Sequence, residues 1–377
     1  MALEGTQDSA LQRPGRAKVY NRTKLLIGIT SSVLSFFFLL LIVTTGLSHT
    51  AEVYALAVSA SPFVALIVFA FIVGIAESVL TLPLGFISGY VVERRYGLSN
   101  QSLKRWAWEH VKGMLVGVPL LLVALIVLYA CLERFGNAWW LPAGALFTLF
   151  SVLLARLAPV LLFPIFYRFT PLEDGPLKER LSRLCAAAGI AFGGIYTFDL
   201  SKNTKKANAG FAGIGRSKRI ILGDTLVHDF TEDEIETVFA HELGHYVRHH
   251  LLTGIVVGTV STFLGLFLSS ILYEWSLRLV GFTSATELGA LPLLAVWLSL
   301  FGLVMSPLGN MLSRKHEREA DRYAVERTGN AGAFASALRK LAFMNLADPE
   351  PHPLVEFFFY SHPSISRRIR AVEGAIS

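Results

Sequence analysis

His241 and His245 stand four positions apart in the run His241-Glu242-Leu243-Gly244-His245. On an α-helix that spacing puts both imidazoles on one face, within reach of a single Zn²⁺ at about 2.0–2.1 Å, with the Glu242 carboxylate beside the open coordination position. Zinc lowers the pKa of a bound water to about 7, and a neighbouring carboxylate can take the proton as the hydroxide attacks a peptide carbonyl. The pattern points to amide hydrolysis. Two histidines also meet by chance on ordinary helices, so the surroundings must decide. Thr231-Glu232-Asp233-Glu234 reads as a capping box that starts a helix carrying the motif about two turns further on. Inside that helix Gly244 costs about 1 kcal/mol relative to Ala, which predicts the close approach of a packed backbone or a substrate. His249 and His250 follow, but Tyr246 stands where a second base would be. Both read as polar residues at a membrane boundary.

A zinc peptidase takes three protein ligands and keeps a fourth position open. Glu317 and Asp321, again four apart, are candidates for one ligand and for a carboxylate that orients a ligating histidine. The alternative is a charged helix face solvated among Arg314, Arg318 and Arg322. Asn208-Ala209-Gly210-Phe211 is either a turn or an exposed edge that holds a peptide by main-chain hydrogen bonds. In the tail, His362 precedes Pro363 and Arg368 lies on a short basic helix. They could polarise an oxyanion or hold a substrate carboxylate, or be simply a turn residue and a surface cation.

The elements that position these groups lie largely in a membrane. Of the 377 residues 53% are hydrophobic and 16% charged, and mean hydropathy is +0.52, which excludes an average soluble enzyme. Nearly charge-free runs at 25–46, 53–92, 113–132, 135–167, 251–273 and 288–312 are each long enough to cross about 30 Å of hydrocarbon. The first has the basic flank of a signal peptide, yet its apolar core is too long for one. Glu77 and Arg156 interrupt two runs and imply a wet interior. Pro142, Pro159 and Pro164 make the fourth run either a span or a re-entrant hairpin. Basic residues before the first run (Arg13, Arg16, Lys18, Arg22, Lys24) and between the second and third (Arg94, Arg95, Lys104, Arg105, Lys112) place those segments in the cytoplasm. With six spans, both metal-ligand segments then share the cytoplasmic side.

The expected organisation is a disordered cytoplasmic N-terminus (1–24), spans one to four (25–168), a cytoplasmic α+β insertion carrying the histidine helix (169–250), spans five and six (251–312) and a cytoplasmic tail with the third ligand (313–377). The insertion should hold a helix near 177–188 and strands at 194–199 and 219–222. Cys131 and Cys185 offer neither a disulfide framework nor a thiolate zinc site. A net charge of +6 suits a protein beside an anionic leaflet. Nothing resembles a nucleic-acid module, and the absence of repeated halves argues against a transporter.

Taken in order, Thr170-Pro171-Leu172-Glu173, Asn208-Ala209, His241 to His245, Ser313 to Asp321 and Ser361-His362-Pro363 closely resemble the integral-membrane CAAX prenyl proteases of the zinc metalloprotease type. The resemblance extends over nearly the whole chain, including Tyr90 to Gly97 and Pro351-His352-Pro353. It implies a helical barrel around a large intramembrane chamber, with one Zn²⁺ per chain held by His241, His245 and Glu317. Glu242 would be the general base, Asp321 the orienting carboxylate, Asn208 and Ala209 the substrate edge, and His362 and Arg368 neighbours of the oxyanion. The implied reaction removes the C-terminal tripeptide of a prenylated CAAX protein, in an endoplasmic reticulum membrane or a bacterial inner membrane. The sequence departs from the family pattern at Arg367, where an acidic residue is usual, and in six spans where eukaryotic members have seven. A quality-control protease acting on unprenylated membrane proteins and a catalytically silent zinc scaffold are the rival readings; oligomeric state is not encoded legibly.

Overall fold

The computed structural model describes residues 14–189, 193–212 and 219–374. Helix α1 (Pro14–Thr44) ends at Gly46, whose φ of +77° suits a residue without a Cβ, and the chain turns into α2 (Leu47–Val58). Then follow α3 (Pro62–Phe86), α4 (Leu103–Phe135) and α5 (Trp140–Leu157). Proline opens α3 within its first turn, where its missing N–H is harmless. Pro159 falls in a π-helical turn, Ala158–Leu162, which widens the helix where the proline ring cannot donate. The span therefore runs unbroken over Trp140–Phe166, and the hairpin alternative is excluded.

The insertion contains β1 (Phe169–Pro171), α6 (Pro176–Ala187), β2 (Ile195–Phe198), β3 (Ala209–Ala212), β4 (Arg219–Gly223), α7 (Asp224–Asp229) and α8 (Glu232–Val247). The sheet order is β1-β2-β4-β3, with β2 and β4 parallel and the outer pairs antiparallel. Residues 209–211 thus lie on an edge strand and not in a turn, and Asn208 leads directly into it. Helices α9 (His250–Leu277) and α10 (Leu291–Thr328) complete the spans; of the tail helices, α11 (Ala331–Met344) packs on α8, α12 (Pro353–Phe359) on α10, and α13 (Ile365–Glu373) on α11 and α10.

Among the described residues six helices are long and apolar enough to cross a bilayer. Their contacts run α1–α3–α4–α5–α9–α10 and back to α1, so they close a ring. Buried side chains gather at its two ends. One core, built on Val43, Leu66, Tyr129, Trp139, Tyr273 and Leu294, seals the end at α2. A second, built on Leu181, Ile220, Leu226, Ile235, Phe239 and Leu243, underlies the insertion. Between them the apolar windows of the first five spans are at most 22% buried. A solid bundle would bury one face of every helix; a ring around a chamber does not.

Polar clasps tie the ends. At the insertion end Glu93 pairs with Lys24 (3.1 Å) and Lys206 (3.0 Å) and accepts from the Tyr20 hydroxyl (2.6 Å), while Asn21 donates to the Leu346 carbonyl (2.6 Å). At the other end Glu52 accepts from the Leu288 amide (2.8 Å), and Tyr129 and Tyr273 donate to the carbonyls of Thr286 and Ala285.

Element boundaries differ from the hydropathy boundaries in three places. Residues 14–24, expected to be disordered, form the first turns of α1 because Tyr20, Asn21 and Lys24 are anchored on the insertion end; residues 1–13 lie outside the described residues. The run 53–92 is divided by Ser59 to Ser61, and at about 1.5 Å per residue α2 reaches only about 18 Å, too short to span. Finally, no break occurs at 312: α10 continues from the membrane through Glu317 and Asp321 to Thr328, because Arg, Lys, Glu and Ala sustain a helix after the apolar run has ended.

Candidate metal centre and active site

The capping box forms as expected: the Thr231 amide donates to Glu234 (2.8 Å) and the Glu234 amide to the Thr231 hydroxyl (3.3 Å). Glu234 also accepts from Lys340 (2.6 Å) and Ser336 (2.7 Å), which fastens the start of α8 to α11. Further along, α8 meets α10 at Gly244, where a Cβ would stand 3.1 Å from the Cα of Ala320 and 3.1 Å from the Cβ of Tyr323. Of the two approaches predicted for this glycine, the packed backbone is the one present. The crossing brings Glu317 to the two histidines: its Oε2 lies 3.5 Å from His241 Nε2 and its Oε1 3.2 Å from His245 Nε2. Asp321 Oδ1 lies 2.9 Å from His241 Nδ1. One carboxylate therefore shares the histidines' focus and the other stands behind His241.

The donor set fits a cation. His241 Nδ1–H donates to Asp321, which leaves Nε2 a lone pair, and that lone pair faces the Nε2 of His245 at 3.2 Å. Among the described residues Glu317 Oε2 is buried without a hydrogen-bond partner. Two imidazoles and a carboxylate thus converge, with ligand atoms all within 4.8 Å of one another. Converging lone pairs around one point are a stable arrangement only with positive charge at that point.

Around this focus lies a cleft of about 470 Å³ whose walls include Asn208, Ala209, Glu242, Glu317, His362 and Arg368. Burial pushes the Glu242 carboxyl up against the pull of His241 and His245, a direction that suits a proton acceptor at neutral pH. The β3 edge faces the same space. The Asn208 carbonyl accepts from the Gly223 amide (2.8 Å), so the period-two alternation of an antiparallel strand directs the amide and carbonyl of Ala209 to the free edge. Asn345 pins the start of this strand by accepting from the Ala207 amide (3.1 Å). His362 is exposed, with Nε2 3.4 Å from Glu317 Oε1. Arg368 is occupied: it grips Asp321 through Nε (2.9 Å) and Nη2 (2.6 Å), and its Nη1 lies 3.3 Å from Glu317 Oε2. Arg367, the departure from the family pattern, pairs at 3.1 Å with Glu356, itself 4% exposed.

The structure brings all nine residues singled out in the sequence to one place. It also adds one that was passed over. His250 does stand at the membrane boundary, as the first residue of the span α9, but it also has a partner in the site: it is 7% exposed, and its Nδ1 lies 2.9 Å from the Nδ1 of His245. No spacing rule signals a histidine five positions on, across a helix break at His249.

A ring of spans, an edge strand along a cleft and a His-His-Glu focus with a base beside it define a membrane metallopeptidase. Residues 171–376 match the model of peptidase family M48, and residues 10–168 match that of the CAAX prenyl protease N-terminal domain, described as five membrane helices. The chain belongs to the CAAX prenyl protease family of membrane metalloendopeptidases within M48. Four long spans and the shorter α2 stand here where that description counts five. The chain is 30% identical to YhfN, an uncharacterized metalloprotease of Bacillus subtilis, over 99% of this chain and 89% of that protein. It is 30% identical to CAAX prenyl protease 1 of Saccharomyces cerevisiae over 79% of this chain and 69% of the yeast protein. Its fold matches the crystal structure of S. mikatae Ste24p with a TM-score of 0.84 and 25% identity, covering 96% of this chain and 89% of that one.

Proposed function

We propose that this metalloendopeptidase uses one Zn²⁺ to hydrolyse a peptide bond near a prenylated cysteine, releasing the C-terminal tripeptide of a CAAX protein. The observation that carries the proposal is the continuity of α10, which is a wall of the apolar ring for its first half and presents Glu317 to the metal site in its second. A substrate with a lipid chain beside its scissile bond matches that juxtaposition. His241, His245 and Glu317 would hold the ion, whose contribution is Lewis acidity toward water and carbonyl oxygen. The peptide lies antiparallel on β3, bonded to the amide and carbonyl of Ala209, with Asn208 beside it. Glu242 takes the proton of the attacking water and passes it to the leaving amine. His362 donates to the carbonyl oxygen as it gains charge, while Arg368 holds Asp321, which fixes the plane of His241.

The start of α1 and the loop between α3 and α4 lie at the insertion end with Arg16, Lys18, Lys24, Arg94, Arg95 and Lys104, whereas Arg134 and Arg278 belong to the other end. By the positive-inside rule the site faces the cytoplasm. The test is cleavage of a farnesylated CAAX peptide beside its unprenylated twin by detergent-purified protein, with and without a zinc chelator and with Glu242→Gln as control. Chelator-sensitive cleavage of the prenylated peptide alone is the expected result. Zinc-dependent cleavage of both peptides would replace the prenyl-specific reading with that of a broader quality-control protease, and cleavage of neither by zinc-loaded protein would favour a silent scaffold.

A further inference from the structure

His241 and His245 are oriented differently. Behind His241 stands a carboxylate, Asp321. Behind His245 stands another imidazole: His250 Nδ1 lies 2.9 Å from His245 Nδ1, and His250 Nε2 lies 2.9 Å from Glu319 Oε2. We propose that His250 and Glu319 are positioning residues for the metal, a two-member chain that fixes the tautomer and ring plane of His245. The inference rests on the reading of His241, His245 and Glu317 as the zinc triad.

The hydrogen bonds admit one consistent direction. Glu319 is acceptor-only when ionised, so His250 Nε2 carries the proton and donates to it. Neutral His250 then has a lone pair on Nδ1, which accepts from the Nδ1–H of His245. That leaves His245 Nε2 unprotonated and facing His241 and Glu317, as a metal ligand must be. Reversing either bond would put a proton on the nitrogen that has to bind the ion. The local structure is built to deliver this contact. His249 takes up a left-handed conformation, φ 56° and ψ 31°, between α8 and α9, and this break returns His250 to the Nδ1 edge of the His245 ring. His250 is 7% exposed, and its other side is covered by the His316 ring, stacked at 4.0 Å with an interplanar angle of 8°. Because His250 begins the membrane helix α9 and Glu319 lies on α10, one metal ligand is braced by the two adjacent spans that follow the insertion.

The test compares full-length wild type with His250→Ala, Glu319→Ala and Glu319→Gln in detergent. It measures zinc per chain, zinc affinity by competition with a chromophoric chelator, and the visible absorption bands of the Co²⁺-substituted proteins, which report ligand geometry. Loss of such an outer partner costs roughly 10- to 100-fold in metal affinity. His250→Ala should show a weakening of that order and altered Co²⁺ bands, and Glu319→Ala a change in the same direction. Glu319→Gln should recover wild-type behaviour, since its amide oxygen still accepts from His250. The Glu319 side chain is 38% exposed, so its variants remain informative even if His250→Ala fails to fold. Wild-type affinity and unchanged Co²⁺ bands in Glu319→Ala would overturn the proposal alone, while a wild-type protein that binds no zinc would overturn the triad reading and the proposal together.

Discussion

At the scale of single residues, the proposed roles separate the groups that would hold the ion from the group that would move a proton. His241, His245 and Glu317 share one focus, and Glu242 borders the cleft beside it. Glu242→Gln should therefore retain the metal and lose at least about 100-fold in kcat, whereas His241→Ala or Glu317→Ala should lose the metal itself; elemental analysis beside a peptidase assay separates the cases. A Glu242→Gln protein with full zinc and full activity would remove Glu242 from the mechanism. Cys185 shows the opposite kind of residue. It is completely buried in α6, and burial pushes its thiol up to about 11. A maleimide at pH 7 should leave it unmodified in the folded protein and label it after denaturation, as mass spectrometry would show.

At the scale of elements, the site depends on how closely α8 crosses α10. Gly244→Ala places a methyl group 3.1 Å from the Ala320 backbone, so the helices must part. Such overpacking costs about 1–3 kcal/mol, and because Glu317 rides on α10 the variant should also bind zinc more weakly than wild type in chelator competition. Unchanged affinity and melting temperature would show that the crossing can relax freely. The start of α8 is held by charge. Burial opposes ionisation of Glu234, but Lys340, Ser336 and the Thr231 amide more than offset it and hold the carboxyl below its ordinary value of 4.5. A depressed folded-state value means that Glu234 contributes its stability above pH 4.5 and loses it as the pH falls through the folded value. The melting temperatures of wild type and Glu234→Gln should thus differ most near neutral pH and converge in acid. A gap that is constant with pH would exclude the ionised carboxylate as its source.

At the scale of the whole molecule, the ring leaves its two ends differently dressed. The insertion end carries Lys24, Arg94, Arg95 and Lys104, and the far end carries His49, Glu52 and Glu287. Cys131 and Cys185 are both buried, so single added cysteines can report sidedness. In sealed inside-out vesicles an impermeant maleimide should label Lys104→Cys and spare His49→Cys, and right-side-out vesicles should give the reverse. Labelling of both positions from one side would contradict the even number of spans between the N-terminus and the insertion.

The candidate ligand and base positions were legible because they depend on short-range spacing. His241 and His245, and Glu317 and Asp321, share a helix face through four-residue intervals that the helical period alone enforces, and the spans were legible because hydrocarbon thickness demands long apolar runs. Where helices end was less so: α10 passes from lipid to the metal site without interruption, and hydropathy records a change of solvent and not of conformation. The choice between edge strand and turn at Asn208 required the partner strand β4, and the role of Gly244 required the backbone of α10. His250 was hidden for the same reason, since a left-handed residue at His249 and a carboxylate 69 positions away give it its partners. By itself the sequence determined which groups could bind a metal and move a proton, and which segments must lie in the membrane. Spacing left open which carboxylate meets the histidines, a choice that only the family resemblance supplied; the tertiary structure brings Glu317 to them and sets Asp321 behind His241 and His250 behind His245, because those contacts form between segments whose separation along the chain carries no period.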